Sequence, residues 1–308
     1  MAADEISVLL ATYNGARFLN EQLQTIEAQR VGRINIWAGD DGSSDETLEI
    51  LASWQERWKR GGFHLIVGPG KGYVENFRNL VIAAASERGY LAFSDQDDIW
   101  DRDKLSVAIA VLKAVPLSKP ALYGGRTRIV GSDGQMIGMS PLFKRRPAFS
   151  NALVQSIAGG NTMVLNRTAA NLLAETCELT SFVSHDWWCY QIVSGAGGHV
   201  IYDPSPRIGY RQHEGNAIGE NQGWQARVKR IAALADGHFA AWNDCNIRAL
   251  ERCRDKLSDE CKCLLDAFQD ARIGGPSRAV CNLWRYGIRR QTFASDMALY
   301  AAAALGKL

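Results

Sequence analysis

The residues with the most chemistry to offer lie in Ser94-Asp95-Gln96-Asp97-Asp98-Ile99-Trp100, where three carboxylates fall within four positions. Clustered hard oxygen ligands suit a divalent cation that holds a phosphorylated substrate. A plainer alternative is an acidic turn capping the next helix, since Asp101 and Asp103 precede Leu105, Ile109 and Leu112 at helical spacing. Two more polar clusters come earlier in the chain, Thr12-Tyr13-Asn14-Gly15 and Asp40-Asp41-Gly42-Ser43-Ser44-Asp45. Another comes later, Ser184-His185-Asp186-Trp187-Trp188, a carboxylate among aromatic rings, and Arg211-Gln212-His213 follows it.

The first three clusters each sit where a strand should end. Ile6 to Ala11, Ile34 to Gly39 and Tyr90 to Phe93 are short apolar runs of the kind a sheet buries on both faces. Helical spacing separates them: Phe18, Leu19, Gln22, Leu23 and Ile26 after the first, Leu48, Leu51 and Trp54 after the second. Ser43 with Glu46 has capping-box spacing for that second helix. Phe63 to Val67 reads as a further strand, and Phe77, Leu80, Val81 and Ala84 as a further helix. Gly68-Pro69-Gly70-Lys71-Gly72 lacks the spacing and the hydroxyl residue of a Walker A loop and reads as a turn. This alternation over residues 1–115 predicts an α/β fold with a mostly parallel, doubly wound sheet. Its polar loops gather at the carboxyl edge, where such sheets bind ligands.

After Pro116 the rhythm changes. Ala121 to Val130 is strand-like and Met136 to Met139 returns as a hairpin. Gly159-Gly160-Asn161 precedes a strand at Thr162 to Leu165, and Val200 to Tyr202 and Ile208 to Tyr210 are short strands. From Trp224 onward the pattern is helical, which puts a boundary near Gly219 to Gly223. The expected organisation is a catalytic domain over 1–220, with halves 1–115 and 116–220, and a helical extension over 221–308.

Composition narrows the class. With 308 residues, 46% apolar and 22% charged, the chain has the make-up of a soluble globular protein, and a net charge of +2 gives no global field to draw nucleic acid. The start has no basic and apolar leader, so a cytoplasmic location is expected. Met297 to Leu305 falls short of the roughly 18 apolar residues a bilayer span needs. Seven dispersed cysteines, five of them after Cys189, argue against a disulfide framework. Near the C-terminus Arg278, Arg285 and Arg289 share a helical stripe, with Val280, Leu283, Trp284 and Ile288 roughly opposite. The segment 276–308 therefore reads either as a basic amphipathic surface that rests on a membrane or as a helix docked on its own protein.

Taken together, Ala11-Thr12-Tyr13-Asn14-Gly15, Asp40-Asp41-Gly42-Ser43-Ser44-Asp45, Asp95-Gln96-Asp97-Asp98 and the later His185-Asp186 resemble glycosyltransferase family 2, over roughly residues 5–216. Ser-Asp-Gln-Asp-Asp-Ile-Trp with a downstream Tyr-Arg-Gln-His is similar to the bacterial rhamnosyltransferase-like branch. The resemblance implies a GT-A, Rossmann-like sheet with flanking helices. It also implies an inverting, metal-dependent transfer of a sugar from a nucleotide-diphosphate donor, dTDP-rhamnose by the branch, to a cell-surface polysaccharide or lipid-linked glycan. In that scheme Thr12, Tyr13, Asn14, Asp40, Asp41 and Asp95 bind the nucleotide, with an acid at Asp41 accepting the imide N–H of a pyrimidine. Asp97, with Asp95 and His213, holds Mg²⁺ or Mn²⁺, and Asp186 is the catalytic base. Trp187 and Trp188 wall an acceptor sugar, and Gly160 and Asn161 approach donor sugar or acceptor, with a plain turn as the alternative for the glycines. Asp186 could also cap the helix that follows it, and His185 stands where the family usually has an acid. A catalytically silent sugar-nucleotide-binding protein and a nucleotidyltransferase on a similar scaffold are the competing readings.

Overall fold

A computed structural model describes residues 4–213 and 238–308. The expected boundary near Gly219 to Gly223, and the start of the helical region at Trp224, lie outside the described residues. The chain divides into two compact units. One comprises Met1–Leu142, Ala158–Glu178 and Gly198–Arg211; the other comprises Phe143–Ile157, Leu179–Gly197 and Gln212–Leu308.

The first unit is built on β1 (Glu5–Thr12), whose side chains are buried on both faces after Glu5. β2 (Arg33–Asp40) and β4 (Tyr90–Ser94) flank it in parallel, and β3 (Phe63–Val67) pairs parallel with β2. Beyond β4 come β9 (Val164–Leu165), β6 (Ala121–Gly125) and β10 (His199–Asp203), in the spatial order β10-β6-β9-β4-β1-β2-β3. β9 runs antiparallel to both its neighbours. The alternation expected over residues 1–115 is therefore present, and it sets the ends of β1, β2 and β4 side by side through the registers Thr12 to Asp40 and Leu10 to Ser94.

Helices cover the sheet because each carries one apolar stripe. α1 (Ala16–Glu27) buries Phe18, Leu19, Leu23 and Ile26, and α2 (Thr47–Arg57) buries Leu51 and Trp54. α3 (Tyr73–Ala83) brings Phe77 edge-on to Phe93 of β4, with ring centres 5.5 Å apart. α4 (Lys104–Leu112) adds Leu105, Ile109 and Leu112. Each such side chain contributes about 1.5–3 kcal/mol when fully buried, so this core rather than the polar loops holds the edge in place.

A smaller sheet has the order β5-β11-β7-β8, from β5 (Ile99–Trp100), β11 (Ile208–Arg211), β7 (Arg128–Val130) and β8 (Met136–Met139). The run Ala121 to Val130 is thus two strands in two sheets, broken at Arg126 and Thr127, and the expected hairpin is β7 with β8. α6 (Arg167–Leu179) lies largely in this first unit.

In the second unit, α5 (Phe149–Ala152) packs against α7 (His185–Gly195). They are joined by α8 (His238–Arg252), α9 (Asp259–Ile273), α10 (Pro276–Arg285) and α11 (Phe293–Ala304). α7 is buried nearly all round, which is why its sequence shows little amphipathic pattern. All seven cysteines are free thiols; Cys177, Cys189, Cys253 and Cys261 are buried, while Cys263 and Cys281 reach the surface.

Candidate active site

The loops after β1 and β2 are tied into one structure by side chains. Thr12 Oγ1 donates to Asp40 Oδ1 at 2.9 Å, and Asp40 Oδ2 accepts the backbone N–H of Ser43 at 2.9 Å and of Gly42 at 3.2 Å. Asp40 is buried by these bonds and organises the loop from within. Asn14 adopts the left-handed conformation, φ 48°, which asparagine tolerates better than most residues, and its Oδ1 accepts Ser44 N–H at 2.8 Å. Ser43 does not cap α2 as its spacing suggests; its hydroxyl bonds Asp40, and helix α2 starts only at Thr47. Asp45 serves both neighbouring helices instead, accepting N–H groups of Thr47 and Ala16 at 3.1 Å each. Burial pushes the Asp45 carboxyl up, but bonds from Thr47 and Ala16 outweigh it and leave its pKa lowered.

Asp41 closes the loop after β3. Its two oxygens accept Gly70 N–H at 2.8 Å and Gly72 N–H at 2.6 Å, with both glycines at positive φ. The segment that reads as a simple turn is therefore pinned. A carboxylate that accepts two bonds keeps further lone-pair sites for a ligand. Lys71 in that loop is exposed, whereas Arg78 is engaged, donating to the Cys177 carbonyl at 2.7 Å and pairing with Glu75 at 3.1 Å.

Gln96, between the acids, joins the third loop to the first. Its Oε1 accepts Tyr13 N–H at 2.8 Å and its Nε2 donates to the Tyr13 carbonyl at 3.0 Å. The Tyr13 backbone is thus clamped while its ring stands 59% exposed, open for stacking.

Asp95 and Asp97 are half-buried and Asp98 fully buried. Asn161 Nδ2 donates to Asp98 Oδ2 at 2.7 Å, so Asn161 and the short turn Gly160–Thr162 brace the acid cluster. Burial pushes the Asp98 carboxyl well above its ordinary value, and the charges of Asp95 and Asp97 push it further. Asp101 and Asp103 do not cap α4 with their side chains; they pair with Arg128 at 2.6 Å and Arg207 at 2.7 Å.

Two cations beside the acids are buried, which the sequence reading did not foresee. Arg211 is 2% exposed; its guanidinium donates to the carbonyls of Asp97 and Ser132, each at 2.8 Å, and to Glu21 at 2.6 Å. Lys104 Nζ lies 3.3 Å from the centre of the Trp100 ring, with no hydrogen-bond partner among the described residues. Burial pushes the Lys104 ammonium down to about 7, against the charges of Asp98 and Asp95, which pull it up. Arg211 stood out in the sequence only as part of Tyr-Arg-Gln-His and Lys104 not at all, and neither signal points to burial.

In the second unit, Asp186 lies in the first turn of α7, half-buried. Its Oδ1 accepts Trp187 N–H at 2.8 Å and its Oδ2 faces Ser156 Oγ at 3.5 Å. The N-cap is Ser184, so Asp186 is a first-turn acid rather than the cap itself. Burial holds the His185 ring near a pKa of about 4 and hence neutral, although the Asp186 charge opposes this. The expectation that Trp187 and Trp188 wall a sugar needs correction. Trp188 is 0% exposed and stacks on Phe182 at 5.6 Å, and Trp187 is buried with its Nε1 bonded to the Ala152 carbonyl at 2.6 Å. Their apolar surface is spent on the core. His213 is half-buried and follows β11 by two residues.

The donor set of the acid edge suits a hard divalent cation. Burial first, and then the charges of Asp95 and Asp97, raise the pKa of Asp98, and a cation would relieve the part due to repulsion. Among the described residues there is no group of three or more His, Cys, Asp or Glu side chains poised as a metal cage.

The sequence profile described as Glycosyl transferase family 2 matches residues 7–170, more than half the chain and all of the β1, β2 and β4 loops. The chain belongs to glycosyl transferase family 2. It is 29% identical to the dTDP-rhamnosyl transferase RfbG of Shigella flexneri over 73% of this chain and 78% of that one. It is 25% identical to the UDP-Glc:alpha-D-GlcNAc-diphosphoundecaprenol beta-1,3-glucosyltransferase WfgD of Escherichia coli, over 54% of this chain and 62% of that one. Among solved structures, S. aureus TarS 1-349 in complex with UDP-GlcNAc superposes with a TM-score of 0.53 at 15% identity, covering 98% and 90% of the two chains. The mannosyltransferase PcManGT from Pyrobaculum calidifontis, in complex with GDP-Man and Mn²⁺, does so with 0.51 at 19% identity, covering 100% and 89%. The fold of this family 2 member is thus GT-A, as expected from its motifs, with helices following at the C-terminal end. It is a nucleotide-sugar glycosyltransferase of the rhamnosyltransferase-like kind, and the inverting course is the one typical of its family.

Proposed function

We propose that this glycosyltransferase moves L-rhamnose from dTDP-rhamnose, with Mg²⁺ or Mn²⁺, to a growing cell-surface polysaccharide or a lipid-linked glycan. The observation that carries the donor is the similarity to a dTDP-rhamnosyl transferase along most of both chains. We place the protein in the cytoplasm, peripheral at the inner face of the plasma membrane.

In this reading the thymine base lies against the exposed ring of Tyr13, held in position by Gln96, and its imide N–H donates to Asp41. Thr12, Asn14 and Asp40 shape the loop behind it, and Asp95 meets the ribose. Asp97, with Asp95 and His213 as further ligands, would hold the cation, whose chemistry is to neutralise charge on the departing diphosphate. Asp186 takes the proton of the acceptor hydroxyl while that oxygen bonds to the anomeric carbon. The bond from that carbon to the diphosphate oxygen breaks on the opposite side, and nucleoside diphosphate leaves with the electron pair. Asn161 steadies the acid cluster through Asp98.

A thermal-shift series with Mn²⁺, comparing dTDP-rhamnose with UDP- and GDP-sugars, tests the donor. The expected result is the largest rise in melting temperature with dTDP-rhamnose. A larger rise with another nucleotide sugar overturns the donor assignment, and no rise with any overturns the wider reading.

A further inference from the structure

The last helix carries an unusual surface. In α11 the exposed positions are Phe293, Ala294, Met297, Ala301 and Ala304, and Leu305 follows at 70% exposure. None of them is polar. A helix that faces water ordinarily presents charged or amide side chains there, and a run of exposed apolar ones marks a surface that meets something else. The preceding helix α10 packs on α11 and adds Trp284, 79% exposed, although it shares its apolar stripe with Leu283 and Ile288. Leu283 and Ile288 are indeed buried, so the pair of helices already has its core contact, and Trp284 is surplus to it.

Within residues 276–308 the exposed side-chain charges have one sign. Between residues 276 and 308 the only acid is Asp296, and it is buried, paired with Arg145 and accepting Arg290 N–H at 2.6 Å. Arg278, Arg285, Arg289 and Lys307 are all exposed. Arg285 stands 5.7 Å from the Tyr286 ring centre, and the charge of Arg289 reaches Tyr300 on α11, so cations flank the apolar residues directly.

We infer that α10 and α11 form a docking surface for a bilayer bearing anionic lipid headgroups. The aromatic and aliphatic side chains enter the boundary between headgroups and acyl chains, and the arginines pair with phosphates. No helix among the described residues is long and apolar enough to cross a membrane, so the helices lie on the surface instead of spanning it. A second copy of the chain fits less well, because a symmetric contact through this face would set arginines against arginines with no exposed acid between 276 and 308 to meet them. The inference deepens the peripheral location proposed above but does not rest on the transfer chemistry, so vesicle binding and sugar transfer can fail separately.

The test is flotation of the full chain, without substrates, on vesicles of phosphatidylcholine alone and of phosphatidylcholine with phosphatidylglycerol in equal parts. The expected result is binding to the anionic vesicles, weakened by high salt. Replacing Arg278, Arg285 and Arg289 together by Gln lowers partitioning about 100-fold, since each basic residue near such a surface contributes about fivefold. Trp284→Ser with Phe293→Ser lowers binding to both vesicle types. All of these side chains are exposed, and an unchanged melting temperature certifies the fold of each variant. No binding of the parent chain to anionic vesicles, or equal binding of parent and variants, overturns the inference. So does concentration-dependent dimerisation in sedimentation that Phe293→Ser abolishes, which would assign the face to a second copy.

Discussion

Gly15→Ala is expected to disable donor binding without unfolding the protein. A Cβ on Gly15 would lie 2.2 Å from Gln96 Oε1 and 2.5 Å from its Cδ, closer than any real contact. The backbone at Gly15, φ −102°, is open to alanine, so the cost comes from the collision and not from strain. The far end of the Gln96 side chain must swing away, and both of its bonds to Tyr13 break. At about 0.5–1.5 kcal/mol each, the ordering of the Tyr13 loop loses about 1–3 kcal/mol, or about 5- to 150-fold in affinity. Gln96→Ala removes the same two bonds by deletion and should cost about the same. Calorimetric titration of dTDP in the presence of Mg²⁺, on both single variants and the double variant, completes a cycle. The double variant should bind no worse than Gln96→Ala, because nothing is left for the new methyl to strike. If Gly15→Ala weakens binding as much in the Gln96→Ala background as in the parent, the clamp is not what holds Tyr13, and the reasoning fails.

Two further outcomes follow from the same geometry. Asp186→Asn should lower transfer by at least about 100-fold, the loss of a general base, while dTDP binding stays within twofold or so of the parent; retained turnover in a radiolabelled-sugar assay removes Asp186 from the chemistry. Lys104→Met should change how stability depends on pH. Burial lowers the ammonium from 10.5 to about 7 in the folded chain, so between those values the unfolded chain binds more protons and the stability of the parent rises with pH. Urea denaturation should show the parent gaining up to about 1.4 kcal/mol per pH unit relative to Lys104→Met across that window; parallel profiles refute the buried ammonium.

Much of the first unit was legible because its central strands are buried on both faces and so appear as continuous apolar runs that stop at polar loops. The sharing of work within those loops was not legible. Asp40 and Asp41 are neighbours with the same side chain, yet one turns inward to bond Thr12 and Ser43 while the other reaches out to the glycines after β3. Asp101 and Asp103 had helix-start spacing, but arginines 27 and 104 residues away claim their carboxylates. Ala121 to Val130 looks like one strand because apolar residues stand at both ends of the run, and only the pairing shows that it crosses from one sheet to the other at Arg126 and Thr127. Trp187 and Trp188 beside an acid suggest a sugar platform, and only tertiary packing, with Phe182 and the Ala152 carbonyl as partners, shows where their faces go.

The charges at the end of β4 explain why a family built to bind diphosphates presents acids to them. Asp95, Asp97 and Asp98 form an edge that by itself repels a phosphorylated donor. The chain answers only in part. The Arg211 guanidinium is committed to two carbonyls and to Glu21, so its charge is largely matched by that acid. Lys104 sits over the Trp100 ring, where burial weakens its hold on a proton near neutral pH. Among the described residues, neither of these two buried cations is free to grip a diphosphate. If, as proposed, a donor carrying two phosphates settles there together with a cation, the affinities for the two are interdependent: whatever one gains from the presence of the other, the other gains equally. Asn161 and Arg211 fix the geometry of the acid cluster, and in the proposed function a cation would complete its charge.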